Sequence, residues 1–254
     1  MFFALVFYSF LAIITPFCKP LKNKSIKNQI HYLADKLDAG YDDELQDRFP
    51  EGKIFSNAFL ALSIIEFANN DKASADYAKI VDDCAVRLLS SDAKANFNKH
   101  MEPSYGVFYN GWTSLVLYSY INSELFNLSQ IKDRVIKEQL TCSSRIENAL
   151  SDSLQLLDAY VNASWPADNG IASISLNNHK LKQDWIQWML DYSEHPAGLI
   201  PHASSKAQIV RGSSSAMLLY VLKLSEYDDI QDYNKVFNDL FVDEYLGVQL
   251  VKPA

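Results

Sequence analysis

The sequence predicts an all-α fold, and two patterns predict it. Apolar residues recur with a helical rather than an alternating period over most of the chain. The eight glycines and eight prolines of the 254 residues gather at breaks between those periodic stretches. The helices so marked are of two kinds, apolar nearly all round or apolar along one stripe, and the kinds alternate about four times. That alternation is the pattern of an α/α toroid, in which helical hairpins wrap around an inner helix layer. A plain helical bundle is the rival, because it buries amphipathic helices in the same way.

Residues 2–18 (FFALVFYSFLAIITPFC) carry no charge. At ~1.5 Å per residue such a run barely spans a bilayer, so residues 1–20 are expected to be a membrane anchor or an export signal. The lysines at 19, 22, 24 and 27 follow it, which as an anchor would favour a cytoplasmic domain. Against a signal, no basic residue precedes the run and no A-x-A-like cleavage site follows. The expected location is membrane-anchored or exported, in the cell envelope, with 21–254 forming the toroid domain.

Within that domain, residues 53–69 (KIFSNAFLALSIIEFAN) are apolar on nearly every side, the mark of an inner helix. Residues 72–91 carry Ala73, Tyr77, Ile80, Cys84 and Leu88 on one stripe, opposite Asp76, Lys79, Asp83 and Arg87, as an outer helix would. Residues 111–126 are again inner in type. The region 129–161 reads as two outer helices broken near Thr141–Ser144, with Asn127 and Gln130 placed as a capping box. A short apolar helix is expected over 170–176, a mixed one over 181–193, an inner one over 213–224 and an outer one over 229–245. Glu51, Gly111, Asp168 and Gly212 then mark hairpin starts roughly 45–60 residues apart. A closed ring of six would need about two hairpins more, so the toroid is expected to be open, completed by another chain, or a fragment.

With 48% hydrophobic content the chain can fill one sizeable core, and a net charge of −8 argues against a nucleic-acid partner. Three cysteines, Cys18, Cys84 and Cys142, are too few and too scattered for a disulfide framework or a zinc site. No metal cluster, glycine-rich phosphate loop or nucleophile elbow is visible, and no cofactor is expected.

Four short motifs each stand just before an inner-type helix: FPEG at 49–52, YGVFYNGW at 105–112, SWPADN at 164–169, and GLIPH at 198–202 with RGSS at 211–214. Helices of one inner layer would bring these motifs to one face, where a pocket is expected. Asp168, beside Trp165 in a partly dry pocket, could have a raised pKa and act as general acid or base; alternatively it is the N-cap of the helix that follows. Glu51 is either the second carboxylate of such a pair or a helix-start acid favoured by the dipole. His202, in a loop after Pro201, could carry a proton at neutral pH, or it stabilises a turn. Arg211 and Ser213 resemble an anion grip at a helix start, or an N-cap with a salt bridge. Tyr105, Tyr109, Trp112 and Trp165 offer flat faces for a sugar ring, or are ordinary core. Asn169 shares the doubt over Asp168.

Taken in order, FPEG, YGVFYNGW, SWPADN, GLIPH and RGSS resemble a group of largely uncharacterised bacterial membrane-anchored or exported proteins, over most of residues 40–250. The resemblance implies an α/α toroid, a fold also seen in linalool dehydratase-isomerase and in many polysaccharide hydrolases, lyases and epimerases. The catalytic cysteines and tyrosine of linalool dehydratase-isomerase have no counterparts in this sequence, so its reaction is not implied. The function expected is acid/base chemistry on an envelope glycan or similar polyhydroxylated substrate, with a small molecule or a glycan as the ligand. The alternatives are a hydro-lyase or isomerase acting on a small apolar alcohol, and a non-catalytic helical partner that forms a homo-oligomer or docks on a completing subunit.

Overall fold

The computed structural model describes residues 19–70, 73–191, 199–203, 210–225, 230–245 and 248–251. The apolar run 2–18 and the membrane attachment read from it lie outside the described residues. Among the described residues, no helix is long and apolar enough to cross a membrane.

Among the described residues the fold is all-helical apart from one short ribbon. Its helices are α1 (Lys19–Asp38), α2 (Tyr41–Arg48), α3 (Gly52–Asn70), α4 (Ala75–Leu88), α5 (Ser91–Lys94), α6 (Gly106–Ile121), α7 (Lys132–Ala149), α8 (Pro166–Ile174), α9 (His179–Asp191), α10 (Gly212–Leu224) and α11 (Ile230–Phe241). The ribbon pairs β1 (Val242–Tyr245) with β2 (Val248–Val251) in antiparallel register. The sequence reading carried helix as far as residue 245. Four strand residues on each side of a two-residue connection are too short a signal for periodicity to separate from a helix end.

The two kinds of helix take different places. The apolar helices α3, α6, α8 and α10 pack in a row, each on the next. The amphipathic helices α4, α7, α9 and α11 each pack on the apolar helix that precedes them, while α1 and α2 lie on α3. The stripe of α4 is buried through Tyr77, Ile80, Cys84 and Leu88, with Asp76 and Lys79 in solvent. The apolar helices approach one another closely because two of them carry glycine at the contact. A Cβ at Gly111 of α6 would meet Ala172 of α8 at 2.8 Å, and one at Gly170 of α8 would meet Leu218 of α10 at 2.7 Å.

Three local expectations are corrected. The region 129–161 does not hold two helices, since α7 runs unbroken through Thr141–Ser144. The Thr141 hydroxyl donates to the carbonyl of Lys137 one turn back, and Ser143 donates to Glu147 one turn on, so these polar residues bond along the helix instead of ending it. Asn127 and Gln130 form no capping box. Asn127 lies in a 3-10 turn (Glu124–Leu128), and the connection into α7 is held by Asp82 of α4, whose carboxylate accepts from Tyr120, Ser129 and the Gln130 amide. The helix expected at 170–176 begins earlier, with Pro166 in its first turn, where a missing N–H costs nothing.

Candidate functional site

The heads of α3, α6 and α8 are tied together by the loop 150–165. At α3 the chain turns out of α2 through Phe49-Pro50-Glu51-Gly52. A Cβ at Gly52 would lie 2.4 Å from the Leu45 carbonyl carbon, so only glycine lets the turn close this tightly. The Glu51 carbonyl accepts the Phe55 amide at 2.9 Å, which places the Glu51 side chain at the helix head.

Asn169 holds the loop from the other side. Its Oδ1 accepts the Leu157 amide at 2.7 Å, and its Nδ2 donates to the carbonyls of Leu157 and Trp165. Both amide hydrogens are spent on backbone, and the residue is fully buried. Asn169 is therefore a scaffold residue here, in place of the ligand contact expected from the motif. Beyond it the chain turns back between Tyr160 and Ala163, with Asn162 at positive φ, a conformation asparagine tolerates well. The Val107 amide of α6 donates to the Asp158 carbonyl at 2.9 Å.

These turns bring two carboxyl groups to one place. Asp168 is the third residue of α8 and is 9% exposed. It is not the N-cap, a position taken by Trp165 with no side-chain hydrogen bond. Burial pushes its pKa up to about 7, and the negative charge of Glu51 adds to that rise. The Trp112 indole of α6 opposes the shift by favouring the ionised form. That indole N–H is itself buried and reaches hydrogen-bonding geometry with no described group. Glu51, half-buried, accepts the Tyr160 hydroxyl at 2.6 Å across 109 residues of sequence.

Aromatic rings wall this place. Trp112 meets Phe55 and Phe59 edge-on, with centroids 5.2 and 5.4 Å away, and Phe108 stands beside them. Tyr160 stacks on Phe97 and meets the half-buried Trp165 at 87°. Trp112, fully packed, is part of the wall, whereas Trp165 keeps part of its face free.

The remaining expected site residues stand elsewhere in the described contacts. Tyr109 is buried, and its hydroxyl donates to the Leu88 carbonyl. Tyr105, with φ 71°, lies under the Lys94 ammonium and the Arg145 guanidinium. His202 forms a separate pair, its Nδ1 lying 2.7 Å from the Ser214 hydroxyl at the head of α10. Burial and the nearby Arg211 charge lower the His202 pKa. Arg211 and Ser213 are exposed, and Gly212 between them packs against the Phe241 ring. The buried thiols Cys84 and Cys142 are pushed up to about 12 by burial, out of the range of a nucleophile at neutral pH. Among the described residues, no group of three His, Cys, Asp or Glu could hold a metal ion.

Sequence reasoning missed Tyr160. It precedes SWPADN by only four residues, and the turn signal Val161-Asn162 beside it marks a chain reversal that could have flagged it.

The site thus pairs a carboxyl that keeps its proton near neutral pH with a second carboxyl that accepts a phenolic hydrogen bond. Such a pair can give a proton to one atom of a substrate and take one from another. Comparison of the chain with protein families, with curated proteins and with solved structures gives no match.

Proposed function

We propose that the protein is a cell-envelope enzyme, anchored in or exported across a membrane, that applies acid/base chemistry to a glycan or similar polyhydroxylated substrate. The observation that carries the reading is Asp168, a buried carboxyl with a pKa near 7 beside Glu51 and the Trp112 indole N–H, which favours its ionised form. In this reading Asp168 is the general acid, Glu51 the base, and Trp165 the flat face against a sugar ring. The row of α3, α6, α8 and α10, backed by their amphipathic partners, supports an α/α toroid as the scaffold.

The aromatic wall of Phe55, Phe108 and Trp112 favours a second reading, a hydro-lyase or isomerase on a small apolar alcohol. Both readings need a proton on Asp168, so the substrate separates them. The test is turnover of envelope-glycan oligomers, and in parallel of small alcohols, by the full chain and by Asp168→Asn. Removing a general acid is expected to cost about 10²–10⁴ in rate. Turnover that Asp168→Asn leaves intact would overturn the assignment of Asp168, and conversion of the alcohols alone would overturn the glycan reading.

A further inference from the structure

α1, α2 and α3 leave a groove between them, and neither Glu51 nor Asp168 lines it. α1 and α2 both pack on α3, and the floor of the seam is made by the buried side chains of Ile30, Leu37 and Leu60. The rim is apolar too: Tyr32, Leu33, Tyr41 and Phe59 line it and are 60%, 48%, 44% and 53% exposed. Large apolar side chains scattered singly over a surface need no explanation, but four around one concavity mark a place where an apolar partner binds. The groove follows α1 from Ile26 to Leu37, about 17 Å at the helical rise. It encloses about 600 Å³, the size of a small-molecule site. A helix of the same length, about 10 Å across with its side chains, occupies roughly twice that volume. A thin chain therefore fills the groove, whereas a helix would stand proud of it.

Lys36 sets the polar end of the occupant. Its ammonium stands 5.6 Å from the ring centroids of both Tyr32 and Tyr41, at the rim. Two aromatic rings within this reach hold the cation in place. Acids close to it along the chain are engaged elsewhere, Asp38 with Arg87 and Asp43 with Lys53. Among the described residues, Lys36 has no carboxylate within ion-pair distance. A fixed cation beside an apolar groove complements an amphiphile with one apolar chain and one negative head. A second copy of the chain suits it poorly, because a two-fold contact would set concave face on concave face and bring the two Lys36 ammoniums together. We propose that this groove binds a long-chain fatty acid, with its carboxylate on Lys36 and its alkyl chain lying along α1 toward Ile26. Tyr32 and Tyr41, each with an apolar ring and a polar tip, fit the boundary between chain and head. Phe59 joins the groove to the aromatic wall of the carboxyl site, since its ring also meets Trp112 at 5.4 Å.

The test places the full chain in phosphatidylcholine vesicles with two photoreactive probes, hexadecanoic acid and hexadecanol, each carrying a diazirine in its alkyl chain. Digestion and mass spectrometry then locate the label, and circular dichroism checks that each variant is folded. The acid is expected to label the groove segments within residues 26–63 about two- to fivefold more than the alcohol, the worth of one exposed ion pair. Lys36→Gln is expected to bring the acid down to the alcohol and to leave the alcohol unchanged. Leu33→Glu puts a carboxylate on the rim at an exposed helix position, and the groove label from both probes is expected to be lost. Leu140→Glu, at a similarly exposed position on α7 outside the groove, is expected to change nothing. Label confined to residues 2–18, equal label from acid and alcohol in the unaltered chain, or equal losses in Leu33→Glu and Leu140→Glu would each overturn the proposal. So would an amine crosslinker that joins Lys36 of one copy to Lys36 of another, the sign of a dimer through this face. None of these readouts involves turnover, so failure of the glycan assay would sink the acid/base reading and leave the groove assignment standing.

Discussion

At the scale of residues, Asp168 ties stability to pH with a sign opposite to that of most carboxylates. Its ordinary value is 3.8, and in the fold it is raised to about 7. Between those values the folded chain holds a proton that the unfolded chain has lost. Stability from this group is therefore fully present below about pH 4, declines as pH rises toward 7, and levels off above that. The size is on the order of a few kcal/mol, discounted for whatever water reaches the site. Asp168→Asn has no such titration, so its stability relative to the unaltered chain should grow from pH 4 to pH 7. Urea midpoints at pH 4.5 and pH 8 measure this directly. An unchanged difference between the two proteins at the two pH values would contradict the burial and charge argument. The same titration sets an activity limit: a general acid at this position is spent as pH passes about 7, so turnover should fall on the alkaline side. The sequence pointed to Asp168 and Glu51 as residues at helix starts, but it set Asp168 beside Trp165, whereas the indole that acts on this carboxyl is Trp112 of α6. What it could not hold was the donor, because Tyr160 reaches Glu51 through a loop whose course depends on Asn169 gripping Leu157.

Among the helices, the close approach of α6, α8 and α10 turns on which atoms face each glycine. At Gly111 an added Cβ would meet the Ala172 Cβ at 2.8 Å and its Cα at 3.0 Å, atoms that cannot move without moving α8. At Gly170 the nearest atom is the Leu218 Cδ2, the far end of a side chain with other rotamers. In an exposed helix, alanine would be better than glycine by about 1 kcal/mol. Here Gly111→Ala should instead destabilise by about 1–3 kcal/mol, the usual cost of overpacking, while Gly170→Ala should fall much nearer to neutral. Chemical denaturation of the two variants side by side tests this. Equal losses would mean that the α8–α10 contact is as rigid as the α6–α8 contact. The helices themselves were legible because their apolar faces were periodic. Their connections were less so: Asp82 of α4 anchors the entry to α7 through three hydrogen bonds from residues at positions 120, 129 and 130. Such a long-range hub leaves no periodic trace, and a local capping pattern at Asn127 and Gln130 stood in its place.

Across the whole molecule, the alternation of helix types was the most legible feature, since burying an all-round apolar helix requires neighbours on every side. The row of apolar helices and its amphipathic backing follow from that requirement. The convergence of all four motifs followed less fully. The heads of α3, α6 and α8 are joined through loop 150–165, whereas the described contacts at the head of α10 link His202 to Ser214 and Gly212 to Phe241. The joined part of the site spans three separate hairpins, with Glu51, Trp112 and Asp168 each from a different one. A ligand seated between them would therefore bridge elements far apart in sequence, and its binding energy would act on the unfolding of the assembly as a unit. Ligand at about 100 times its Kd should add about 2.7 kcal/mol to stability. For a chain of this length that corresponds to a rise in Tm of roughly 2–4 °C per kcal/mol. We therefore expect glycan oligomers to raise the Tm of the full chain, to raise it less in Trp165→Ala, where the stacking face is lost, and to leave Arg211→Ala close to the unaltered chain. Arg211 discriminates because it is exposed at the head of α10, whereas Trp165 stands edge-on to Tyr160, whose hydroxyl donates to Glu51. A shift abolished by Arg211→Ala and kept by Trp165→Ala would move the binding site to α10 and away from Asp168.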